Sequence, residues 1–114
     1  MSKQVNIIVK AIDDKKGEDI RIIDLRNINP LTDYFVICHA NNTKMINAIV
    51  DNVIQKCEEA DYSIRAIEGE EDSGWILIDA YDVIIHVFLQ SQRYFYNLEK
   101  LWGDMPEVEL NEIL

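Results

Sequence analysis

The chain has 114 residues, enough for one domain whose core needs no metal or disulfide staple. Its 21 acidic against 11 basic side chains leave a net charge of −10, which repels a phosphate backbone and argues against autonomous binding of RNA or DNA. No apolar run approaches the roughly 20 residues of a membrane span, and Met1–Asn6 lacks a signal-peptide pattern, so a cytoplasmic location is expected.

Residues 3–16 read as a helix with Val5, Ile8, Val9 and Ile12 on one face, Ser2 as its N-cap and Gly17 as its stop. Ile20–Leu25 is the first strand, and Asn27, Asn29 and Pro30 mark a loop. Tyr34–Cys38 is a nearly continuous apolar run, the pattern of a central strand covered on both faces. Asn41, Asn42 and Thr43 offer caps for a second helix over 43–60, whose stripe is Ile46, Ile49, Val50, Val53, Ile54 and Cys57. Ser63–Ile67 is a weaker strand, and Glu68–Asp72 is an acidic, solvated loop. Strands at 75–79 and 83–88 join through Ala80 and Tyr81. Ser91 caps a last helix near 92–102, which Gly103 stops and Pro106 keeps from resuming.

The order is α-β-β-α-β-β-β-α. A long helix between two strands implies a crossover and hence a mixed sheet, and the apolar helix stripes need that sheet to cover. The expected fold is a single α/β domain over residues 1–106, a mixed sheet of about five strands with helices packed on it. Residues 107–114 form an acidic and apolar tail expected to fray.

Motifs that carry chemistry are absent. Cys38 and Cys57 make no CxxC pair and read as buried free thiols. Cys38-His39 with distant His86 lacks the ligand spacing of structural zinc, and His86, on the same strand side as Ile84 and Phe88, reads as a hydrogen-bonded core or interface histidine. Asp79 and Asp82 flank a turn, where aspartates bond their own backbone. No nucleophile elbow or phosphate loop occurs, so no catalytic residue, metal or cofactor is expected. Aromatic residues stand out instead. Gly74 to Trp102 holds both tryptophans with Tyr81, Phe88, Tyr94, Phe95 and Tyr96, more than one helix face buries. Tyrosine and tryptophan suit a surface that is apolar when bound and wet when unbound, and an acidic body around them suits a basic protein partner.

Asp13–Lys16, Thr32–Cys38, Ala48-Ile49 with Asp51–Val53, Trp75–Asp79, Asp82–Phe88 and Tyr96–Asp104 together resemble the ribosomal silencing factor family, also called Iojap-like. The resemblance runs from about residue 5 to 106. It implies a small α/β domain of nucleotidyltransferase-like topology that is not an enzyme. It further implies a translation repressor under nutrient limitation, which binds the large ribosomal subunit through a basic protein, universal large-subunit protein fourteen. Occupying that protein blocks joining of the small subunit. A homodimer is implied when the protein is not on the ribosome. The family's contact region falls on Trp75, Tyr96, Leu98 and Trp102, with His86 and Asp79 as scaffold or rim. Tyr81 joins the contact set because it stands where members commonly have glycine in the hairpin turn, and His39 stands where a small residue is common. The catalytic superfamily's Gly-Ser pair is missing from Cys38–Thr43, and no spaced metal-binding carboxylates succeed that loop. Two other readings stay open: a Mg-dependent nucleotidyltransferase-like enzyme, and a generic dimeric adaptor.

Overall fold

The computed structural model describes residues 2–69, 73–97, 100 and 105–110, without the side chains of 94–96. Helix α1 (Lys3–Asp14) opens at Ser2, whose Oγ accepts from the Val5 N–H at 3.4 Å, and buries Val5, Ile8, Val9 and Ile12 as their spacing requires. Lys16, not Gly17, takes the left-handed conformation at its end (φ 62°), and the Gly17 N–H returns to the Ile12 carbonyl at 3.0 Å. Glycine is required at 17 because a Cβ there would collide with the Ile12 side chain. Helix α2 (Thr43–Glu59) starts at Asn42, whose Oδ1 accepts from the Met45 N–H at 2.9 Å. It buries Ile46, Ile49, Val50, Val53 and Cys57, and the Asn52 amide donates to the Ala11 carbonyl at 2.9 Å, tying the two helices together.

Strands β1 (Glu18–Asp24), β2 (Tyr34–Ala40), β3 (Ala66–Glu68), β4 (Trp75–Asp79), β5 (Val83–Leu89) and β6 (Glu107–Val108) form one sheet in the order β3-β4-β5-β2-β1-β6. Only β2 and β5 run parallel; every other pairing is antiparallel. The parallel partner of β2 is therefore β5 rather than the strand directly after α2. The chain lays down β3 and β4 outside before turning back into the centre, where β5 is apolar enough to be buried on both faces.

The sheet of six strands agrees with the expected mixed sheet of about five, the sixth being Glu107–Val108, which pairs with β1 through Ile22 and Ile23. Expectations change at the C-terminal end. The segment expected to fray thus begins as an edge strand, secured by the Asp24 N–H on the Pro106 carbonyl at 2.8 Å. An exposed strand edge is a ready template for such pairing. Helix α3 spans Gln90–Tyr96, with Leu89 rather than Ser91 as its N-cap and no side-chain bond there. It breaks at Asn97 inside the expected 92–102, Lys100 is helical again, and residues 98, 99, 101 and 102 lie outside the described residues. The helix leaves β5 directly, and Asn97 closes it in a left-handed conformation (φ 46°) that asparagine tolerates.

Candidate partner-binding face

Side chains alternate across the sheet, so each strand serves two faces. Val83, Ile85 and Val87 lie with Val36, Cys38, Ile76 and Ile78 against α1 and α2 in the main core. The opposite face carries a smaller cluster of Ile23, Leu25, Ile37 and Phe88, with Phe35, Trp75 and Met105 packed against it. Neither long helix contributes a residue to that cluster.

Trp75 lies half-buried on this second face. Its ring stacks on Phe88 with centroids 5.2 Å apart, and its indole N–H donates to His86 Nδ1 at 3.2 Å. His86 is buried between Trp75 and Phe35, whose ring meets the imidazole edge-on at 4.8 Å. Burial pushes the His86 pKa down to about 4, so the ring is neutral at physiological pH. With Nδ1 accepting, the proton sits on Nε2, and that buried atom has no acceptor among the described residues.

At the other end of β4, Asp79 organises the hairpin turn. One carboxylate oxygen accepts from Arg65 at 3.0 and 2.8 Å, and the other accepts from the Tyr81 N–H at 3.0 Å. Tyr81 holds a left-handed backbone (φ 67°) with 52% of its surface exposed. The neighbouring Asp82 carbonyl accepts from the N–H groups of Asp33 and Tyr34 and from the Thr32 hydroxyl, at 2.7, 3.1 and 2.9 Å. Those three bonds fasten the loop after β1 to the turn, with Leu31 projecting at 86% exposure. Loop, turn and β3 enclose a pocket of about 520 Å³ floored by Phe35, Leu77, Ile84 and His86.

Helix α3 is pinned to the same side of the molecule by Arg93, which is buried. One guanidinium nitrogen donates to the Asp19 carbonyl at 2.7 Å and lies 2.9 Å from His39 Nδ1. His39 Nε2 in turn lies 3.3 Å from the Glu18 carboxylate. Burial and the adjacent Arg93 charge outweigh Glu18 and Asp19 and hold the His39 pKa below the ordinary histidine value. The bulky residue at 39 is therefore a strut between the sheet and α3.

Trp75 and Tyr81 stand at opposite ends of one face, separated by β4, about 13 Å of strand. Tyr96 ends α3, and Leu98 and Trp102 lie outside the described residues. Leu31, Phe35, Leu77 and Ile84 were missed by sequence reasoning, although alternation along β4 already placed Leu77 beside Trp75. Cys38 and Cys57 are buried free thiols, and burial raises their pKa values to about 12 and about 11. Among the described residues, no group of three or more His, Cys, Asp and Glu could hold a metal ion, and no helix is long and apolar enough to cross a membrane.

One sheet face is covered by α1 and α2, and among the described residues the other carries an apolar and aromatic cluster with partly buried Phe35 and Trp75 at its margin. The chain belongs to the ribosomal silencing factor family: the family described as "Ribosomal silencing factor during starvation" matches residues 1–114. It is 41% identical to the ribosomal silencing factor of Halalkalibacterium halodurans, covering 100% of this chain and 99% of that protein. It is 40% identical to the one from Bacillus subtilis, over 94% and 91% of the two chains. A solved structure from Chromobacterium violaceum superimposes with a TM-score of 0.85 at 31% identity, covering 90% of this chain and 88% of that one.

Proposed function

We propose that this chain represses translation in the cytoplasm by occlusion. Its open sheet face docks on a basic protein of the large ribosomal subunit, universal large-subunit protein fourteen, and blocks joining of the small subunit under nutrient limitation. Off the ribosome it forms a homodimer. No catalytic step is involved; affinity and position do the work. The observation that carries this reading is the face itself, with Trp75, Phe35 and Leu77 partly buried and Tyr81 and Leu31 exposed, on a chain of net charge −10. An apolar centre rimmed by acid complements a basic protein surface and speeds its encounter.

The test mixes purified large and small subunits with and without the chain on sucrose gradients. The chain should sediment with the large subunit, and the joined-ribosome peak should shrink in proportion. Unchanged subunit joining at saturating chain would overturn the proposal.

A further inference from the structure

The pocket under Tyr81 has features that a flat apolar contact does not need. Its floor is apolar and aromatic, while its rim carries Glu68, Asp79 and Asp82 against one cation, Arg65. Arg65 is committed to Asp79 at 2.8 Å. Neither Glu68 nor Asp82 has an ion-pair partner among the described residues. Two uncompensated carboxylates beside two aromatic rings, Phe35 and Tyr81, form the chemistry that binds a guanidinium or ammonium group through counter-charge and ring face together. The same chain already shows that geometry internally, with Arg26 lying 5.3 Å over the Tyr34 ring. His86, whose buried Nε2 has no acceptor among the described residues, also lines the pocket.

The backbone at the rim carries a cost consistent with such use. A left-handed conformation costs a non-glycine residue energy that glycine would avoid, and Tyr81 adopts it with half its surface in solvent. The Asp79 side chain holds that turn through the Tyr81 N–H.

We infer that this pocket is a socket for one basic side chain of the docking partner, an arginine or lysine seated between the Tyr81 and Phe35 rings with Asp82 and Glu68 as counter-charges. This rests on, and sharpens, the reading of the open face as the ribosome-contacting surface. It divides the face into two subsites: an apolar one at Trp75 and a cation-binding one at Tyr81.

The experiment has two arms. In the first, wild type, Tyr81→Gly and Asp82→Lys are titrated against purified large subunits and their thermal unfolding is recorded. Tyr81→Gly unfolds at or above the wild-type temperature yet binds about tenfold more weakly, and Asp82→Lys weakens binding at least as much. Wild-type affinity in both variants overturns the socket. In the second arm, a short arginine-containing peptide and its citrulline counterpart are titrated into the wild-type chain under NMR observation. The arginine peptide shifts Tyr81, Phe35 and Ile84 resonances and the uncharged one does not. Equal shifts, or none, overturn the socket. Should the wild-type chain fail to bind subunits, the proposed function falls, while the peptide arm still decides the pocket.

Discussion

The Trp75 indole donates to His86 Nδ1 at 3.2 Å, so the half-buried aromatic end of the face is fixed by a histidine buried beneath it. The bond orients the Trp75 ring over Phe88 and settles which nitrogen of His86 carries the proton. A ring that is already oriented loses less freedom when a partner covers it. Replacing His86 should separate these contributions. His86→Ala leaves a cavity and removes the acceptor, and is expected to cost about 2–4 kcal/mol in urea unfolding. His86→Asn keeps an acceptor near the Nδ1 position, so its cost should be clearly smaller and its Trp75 fluorescence closer to wild type. Equal losses in the two variants would mean that the indole bond contributes nothing.

Stability should fall as the solution is acidified, well before the carboxylates titrate. The His86 pKa in the folded chain is about 4, below its value of 6.5 when unfolded, because burial disfavours the charged ring. Between those values the unfolded chain binds a proton that the folded chain refuses. The contribution is complete above about pH 6.5 and is lost as pH falls toward about 4, amounting to about 3 kcal/mol. His39, whose pKa is also depressed, acts in the same direction. Urea midpoints measured from pH 7.5 to 4.5 should therefore decline, and His86→Phe should flatten most of the slope. A flat wild-type profile would contradict the burial.

How much of this was legible in the sequence depended on whether a feature was local. The stripes of α1 and α2 and the apolar run of β2 declare themselves because a period of 3.6 or an unbroken hydrophobic stretch needs no distant partner. The exposure of Tyr81 was readable from its place where family members commonly have glycine, but a change of turn type was expected there, and the backbone instead keeps a positive φ of 67°. The pocket was not, because it joins Leu31 from the loop after β1, Arg65 beside β3 and Tyr81 from the hairpin, and the Asp82 carbonyl fastens loop to turn across some fifty residues of sequence. The end of α3 was missed for a different reason. The aromatic periodicity continues past Asn97, while the backbone there turns left-handed.

Arg93 should prove to be the peg that places α3. It is buried and serves the Asp19 carbonyl and His39 together, so Arg93→Met strands two polar groups that nothing else in the strut replaces. The expected loss is about 2 kcal/mol in denaturant unfolding, because the Asp19 carbonyl and His39 Nδ1 lose a charged hydrogen-bond donor. His39→Ala should lose less, since Arg93 keeps its bond to the Asp19 carbonyl. A loss below about 1 kcal/mol for Arg93→Met would show that α3 is held by other contacts.

The central claim is that the open sheet face, and not the helical face, meets the large ribosomal subunit. Site-specific photocrosslinking tests it most directly, with benzoylphenylalanine placed at Tyr81 on the open face or at the exposed Gln55 on α2. The probe at 81 should crosslink to one basic protein of the large subunit, and the probe at 55 should not. Crosslinking from 55 with none from 81 would contradict the claim.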